Sequence, residues 1–204
     1  MANKEHWETV YVTKEADSVS WFQEHAETSL SFIENLNLEK SSPIIDVGGG
    51  ASTLVDDLLV RGYSRLSVLD LSGAALETAK KRIGSQSASV QWIEADVTKI
   101  KLPNHYFEVW HDRAVFHFLT RSEDREAYIQ NLLGSVRPNG HIIISTFAED
   151  GPTECSGLPV MRYSAETLLA EFGEGFLLKE HLVENHSTPS GKTQRFLFCH
   201  FVKC

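Results

Sequence analysis

Apolar residues follow two rhythms along this chain. Over residues 1–40 they recur at helical spacing. Leu30, Phe32, Ile33, Leu36 and Leu38 make a roughly amphipathic stripe, and the segment is predicted helical. At Pro43 the rhythm changes. Pro43-Ile44-Ile45-Asp46-Val47 is a short apolar run ending in glycines, which predicts a buried strand. A helix over 51–62, closed by Gly62, should follow. The alternation then repeats, with strands at 66–69, 90–93, 107–110 and 141–147 and helices at 74–83, near 122–136 and at 165–172. Pro138-Asn139-Gly140 reads as a turn. Strands that alternate with helices of this length indicate βαβ units and a parallel sheet. Residues 176–184 and 194–202 break the pattern. They are two strands joined by a loop containing Pro189 and Gly191, with no helix between them, so they should pair antiparallel.

Length favours one domain over residues 1–204, with 1–40 as a helical cap and 41–204 as the core. The balance of 42% hydrophobic and 23% charged residues suits a globular chain with a real core. Cys155, Cys199 and Cys204 show no paired metal spacing, so no metal site is expected. The odd cysteine count and polar N-terminus point to a cytoplasmic setting, and no apolar run is long enough for a membrane. A net charge of −9, with no basic cluster larger than Lys80-Lys81-Arg82, argues against a nucleic-acid partner.

The candidate chemistry sits where strand meets helix. Gly48-Gly49-Gly50 lets the backbone turn sharply and approach a ligand. Asp46 stands just before it. A pyrophosphate gains nothing from that carboxylate, whereas a ligand bearing an ammonium and a sulfonium does. Asp70, 22 residues after Gly48, ends the next strand, where an acidic side chain accepts ribose hydroxyls. Thr53 replaces the third glycine of the dinucleotide fingerprint.

As an ordered set these segments resemble the class I S-adenosyl-L-methionine-dependent methyltransferases. Asp46-Val47-Gly48-Gly49-Gly50 is similar to the family's first motif and Leu69-Asp70-Leu71-Ser72 to its second. Glu94-Ala95-Asp96-Val97 resembles the adenine-binding motif, which implies contacts from Ala95, Asp96 and Val97. His111-Asp112-Arg113-Ala114 matches the position that faces methyl donor and substrate. The resemblance covers roughly residues 40–147. It implies a three-layer Rossmann-like sandwich with a mostly parallel, seven-stranded sheet ending in an antiparallel β-hairpin. It also implies S-adenosyl-L-methionine as cofactor and S-adenosyl-L-homocysteine as product. The implied cofactor residues are Asp46, Gly48, Gly49, Gly50, Asp70, Leu71, Ala95, Asp96, Val97 and Asp112.

The acceptor side is less defined. Asp112, Arg113 and His117 are the candidate catalytic residues: Asp112 to orient an amine, Arg113 to hold an acidic group or an internal carboxylate, His117 to take a proton near neutral pH. His117 has a plain alternative as a packed helix histidine. Glu149, Cys155 and Tyr163 form a second set, and the 155–159 loop a possible cover. Trp7, Tyr11 and Trp21 form an aromatic N-terminal set that closes over the cofactor or packs on the sheet. The loop 186–194 is a weaker candidate. No Asn/Asp-Pro-Pro-Tyr signature of amide and base N-methyltransferases is present, and the cysteines are too few for an arsenic methyltransferase. A short acidic chain favours a small-molecule acceptor. A protein lysine acceptor and a non-catalytic cofactor-binding module remain the alternatives, and the oligomeric state is left open.

Overall fold

The computed structural model describes residues 4–204. Two helices come first, α1 (Lys4–Thr13) and α2 (Glu27–Asn35). The alternating core follows as β1 (Ile44–Val47), α3 (Leu54–Val60), β2 (Leu66–Asp70), α4 (Gly73–Ile83), β3 (Val90–Glu94), β4 (Phe107–Arg113), α5 (Ser122–Ser135) and β5 (Val136–Ala148). Three two-residue strands, β6 (Glu154–Cys155), β7 (Leu158–Pro159) and β8 (Arg162–Tyr163), lead into α6 (Ala165–Phe172), and β9 (Phe176–Ser187) and β10 (Thr193–Lys203) close the chain.

The main sheet runs β3-β2-β1-β4-β5-β10-β9, and β8 pairs with β5 off this path. The first five of these strands are parallel. β9 and β10 pair antiparallel from Ser187↔Thr193 to Phe176↔Lys203, as expected for strands joined without a helix. Every residue of β1 is buried, which requires cover on both faces. Ile44 joins a core with Leu30, Ile33, Leu54, Leu58 and Leu76, from α2, α3 and α4. Its neighbour Ile45 joins the opposite core with Tyr128, Leu132, Leu168 and Phe172, from α5 and α6. The result is three layers. Strand order reverses at β1, where open α/β sheets leave a crevice beyond the carboxyl ends of the strands.

Several boundaries depart from the periodicity. The predicted helical stretch 1–40 is broken at 14–26, where Asp17, Ser18 and Ser20 favour local turns; Ser18 Oγ bonds Glu15 O at 2.7 Å. The helix predicted over 51–62 begins only at Leu54, because 49–52 forms a turn closed by Ser52 N–H on Gly49 O. β4 runs past Trp110 to Arg113, so Asp112 and Arg113 lie within the strand rather than after it. The 137–140 turn loops out of β5, and Asn139 takes φ 59°. The 155–159 segment is a tight antiparallel hairpin, with Ser156 at φ 51° and Gly157 at φ 74°. No helix among the described residues is long and apolar enough to cross a membrane.

Candidate active site

The ends of β1, β2 and β4 frame a cleft of about 820 Å³, counted with its open mouth. It joins a second pocket of about 560 Å³ at Tyr11, Trp21, Gly48 and Arg113. Gly48 of the glycine loop lines both, and Gly49 lines the second. Gly48 has φ 70°, and a Cβ there would overlap Val115. A Cβ on Gly49 would overlap the Asp46 carboxylate, and one on Gly50 would crowd Asp70. Glycines are therefore needed for the loop to lie against both carboxylates.

Asp46 is buried in β1. Its Oδ1 lies 2.7 Å from His111 Nδ1, and His111 Nε2 lies 2.9 Å from Ser29 Oγ, so one polar chain ties β1, β4 and α2 together. Asp46 Oδ2 is buried with no hydrogen-bond partner, and Asp46 lines the second pocket. Asp70 lines the first. Burial raises its carboxyl to about 7, against N–H bonds from Ser72, Gly50 and Leu71 that favour the charged form; the nearby Asp46 raises it further. Leu71, Ala95 and Val97 make an apolar slot beside it. Asp96 is turned elsewhere. Its Oδ1 accepts the Thr98 N–H at 2.9 Å and the Thr98 hydroxyl at 2.6 Å, and its Oδ2 pairs with Lys99 at 2.9 Å. Those bonds hold the carboxyl below its usual range although burial opposes them.

The run from the end of β4 into the following turn divides sharply. Asp112 faces the core: Oδ1 accepts the Val115 N–H at 2.8 Å, and Oδ2 accepts the Phe116 N–H at 3.1 Å and the Tyr128 hydroxyl at 2.6 Å. Its carboxyl is raised to about 6 by burial. Asp112 is thus absent from the cleft wall where the sequence expected it, because strand alternation points it inward. His117 is also fully buried, in a short 3-10 turn. Its Nδ1 accepts the Phe147 N–H at 3.3 Å, and burial followed by the nearby Arg113 charge lowers the ring to about 3. Its Nε2 is buried without a hydrogen-bond partner, and His117 does not line the cleft. Arg113, between them, does face the cleft.

The cleft's other wall is aromatic. Trp7 lies edge-on to Phe118 at 5.1 Å and to Trp21 at 5.8 Å, and Trp21 Nε1 donates to the Tyr11 hydroxyl at 3.3 Å. α1 is fastened to the core through Glu8, which accepts the Gly73 and Ala74 N–H groups at 2.7 and 3.2 Å, and through a Lys4–Glu94 pair. Cys155 lines the cleft, its thiol raised to about 11 by burial. Tyr163 packs on Phe116 in the core instead, and Glu149 is exposed. The 186–194 loop acts from behind: His186 Nε2 meets Ser20 O at 2.8 Å and supports the 14–26 segment. Phe196, Val115 and Glu8 were not marked by any motif.

Residues 44–140 match a family model described as a methyltransferase domain. EEF1A lysine methyltransferase 2 of Danio rerio is 26% identical over 198 residues, 89% of this chain and 78% of that protein. The ubiquinone/menaquinone biosynthesis C-methyltransferase UbiE of Coxiella burnetii is 27% identical over 122 residues; the match spans 57% of this chain and only 47% of that protein. Among solved structures, the N-methyltransferase NodS of Bradyrhizobium japonicum, in complex with S-adenosyl-L-homocysteine, superposes with a TM-score of 0.72 at 16% identity, covering 98% of each chain. The 1,6-didemethyltoxoflavin-N1-methyltransferase of Burkholderia thailandensis gives 0.71 at 16% identity, covering 98% of this chain and 86% of that one.

Proposed function

From the methyltransferase-domain match over residues 44–140 and the fold shared with NodS, we propose that the chain is a class I S-adenosylmethionine-dependent methyltransferase, in which residues 1–204 act as one domain that methylates a small molecule beneath an N-terminal cap assigned to residues 1–40, of which 4–40 are described. The carrying observation is the orphaned Asp46 Oδ2, buried beside the glycine loop and one pocket away from Asp70. A buried carboxylate oxygen without a donor is costly and suits a cationic ligand group. Asp46 and the Gly48–Gly49 backbone would hold the amino-acid end of S-adenosyl-L-methionine. Gly50 keeps the loop against Asp70, which would accept the ribose hydroxyls. Leu71, Ala95 and Val97 would sandwich the adenine, with Asp96 fixing the turn that carries Val97. When bound, the cofactor supplies a methyl group activated by a positively charged sulfur, and transfer leaves S-adenosyl-L-homocysteine.

The protein's own contribution is placement and exclusion of water. Trp7, Trp21, Phe118 and Phe196 form the acceptor wall, and the cap narrows its mouth. Such a recess supports a small acceptor over a side chain on a folded partner. His117 and Cys155 are both held uncharged at neutral pH, so no base from either is invoked. Asp112 shapes the 113–118 segment through its caps. A second reading, protein lysine methylation, draws on the likeness to EEF1A lysine methyltransferase 2 across most of the chain and on the net charge of −9. A cytoplasmic setting fits the free thiols, two of them buried.

Calorimetry tests the cofactor assignment. S-adenosyl-L-homocysteine should bind and NAD should not; tight NAD binding without S-adenosyl-L-homocysteine binding overturns it.

A further inference from the structure

We propose that the acceptor is an apolar or aromatic acid whose anionic group is taken by the free edge of Arg113, an inference that rests on the small-molecule reading above and deepens it. The Arg113 guanidinium stacks on Phe196 at 4.5 Å, and its Nη1 donates to Trp21 O at 3.0 Å. These two contacts fix its plane. Nε and Nη2 form the edge that makes paired bonds to a carboxylate, and both are buried without a hydrogen-bond partner. The nearest acid, Glu184, places Oε2 at 3.9 Å from Nη2, beyond hydrogen-bonding reach, and that oxygen too lacks a partner. Glu184 is held back by the Thr28 hydroxyl on its Oε1.

Burial lowers the Arg113 guanidinium to about 10, which still leaves it charged at neutral pH. A buried cation with two unused donors is costly, and a ligand carboxylate offsets that cost. Arg113 lines the cleft, where Trp21, Phe118 and Cys155 offer an apolar surround. The same cation disfavours a protonated lysine side chain, so this corner of the site favours an acid over a protein lysine. One other carboxylate is chemically equivalent: the amino-acid end of the cofactor, since Arg113 also lines the pocket that holds Asp46 and Gly48.

The full chain saturated with S-adenosyl-L-homocysteine is titrated by calorimetry with aminobenzoic and hydroxybenzoic acids, each beside its primary amide. At least one acid should bind about tenfold or more tighter than its amide. Arg113→Gln should erase that preference while holding S-adenosyl-L-homocysteine affinity within about threefold. Glu184→Gln, which removes the competing carboxylate, should strengthen acid binding. If Arg113→Gln melts at ambient temperature, Arg113→Lys, which keeps charge but loses the paired edge, should give a reduced preference. Equal binding of acids and amides throughout overturns the proposal. So does an Arg113→Gln variant that loses cofactor affinity with acid preference intact, which assigns the edge to the cofactor's carboxylate. Failure of the wild-type chain to bind S-adenosyl-L-homocysteine instead overturns the cofactor reading beneath it.

Discussion

Along one side of the cleft, the lining comes from a single stretch of chain. Val47, Gly48, Leu69, Asp70, Leu71, Ala95 and Val97 all lie at the ends of the three strands β1, β2 and β3. Along the other, Trp7 of α1 meets Phe118 after β4, and Arg113 stacks on Phe196 of β10. The first side is backbone turns and apolar side chains around one carboxylate, Asp70. The second is large rings gathered from both ends of the sequence. A wall made of one contiguous supersecondary unit keeps its shape through local hydrogen bonds. A wall made of distant rings depends on contacts between segments far apart in the sequence. That difference fits a constant cofactor on one side and a variable acceptor on the other.

The strongest test of this division is Gly48→Val. A β-branched residue at φ 70°, overlapping Val115, should cost about 3 kcal/mol of stability through backbone strain and overpacking. It should also weaken S-adenosyl-L-homocysteine binding at least about a hundredfold. Near-normal binding in calorimetry would show that the loop is not the cofactor floor.

Next comes the Asp112 and His117 pair, which lies behind the acceptor wall rather than in it. Asp112→Ala leaves two backbone N–H groups and the Tyr128 hydroxyl without their acceptor, and about 2–3 kcal/mol should be lost. His117→Ala should cost about 2 kcal/mol by opening a void in a fully buried site. Chemical denaturation should report both losses, with cofactor affinity changed less than about threefold. A stable His117→Ala enzyme with collapsed turnover would restore that histidine to the reaction.

The two sides should also differ in their response to pH. Asp70 is raised to about 7, so the folded protein holds a proton there that the unfolded chain releases at lower pH. Its contribution to stability is therefore greatest at low pH and is lost as pH rises toward about 7. If ribose hydroxyls need the charged carboxylate, cofactor affinity runs the other way. It should fall as pH drops below about 7, approaching tenfold per unit. Asp70→Asn should bind about 1–3 kcal/mol more weakly above that pH and show a flat profile. An identical slope in wild type and variant would move the titration elsewhere.

The smallest effect concerns the cap. Glu8→Gln removes the charge that α1 places on the first N–H groups of α4, and about 0.5–1 kcal/mol should be lost. Protease cleavage within residues 4–13 should accelerate more than global unfolding. An unchanged cleavage rate would mean that the Trp7 and Tyr11 contacts alone hold the cap down.

Local rules made much of this molecule legible from its sequence. The glycine loop, Asp46 and Asp70 could be found because βαβ geometry fixes where a strand ends and a helix begins, so ligand-facing residues fall at set offsets from apolar runs. The terminal hairpin was legible for a similar reason: two strands with no helix between them have one simple way to pair. Asp112, Arg113 and His117 show where that reading stopped. As sequence they are one motif, yet β4 runs three residues past Trp110, and pleat alternation sends Arg113 to the cleft and Asp112 to the core. His117 could equally have faced either way until Phe147 N–H and the surrounding rings enclosed it. Period and turn chemistry are properties of neighbouring residues, and the chain determined them by itself. Which rings meet across the cleft, and whether a buried charge finds a hydrogen-bond partner, depend on segments brought together only by tertiary packing, and that packing alone left Nε and Nη2 of Arg113 without a hydrogen bond, with Glu184 3.9 Å away.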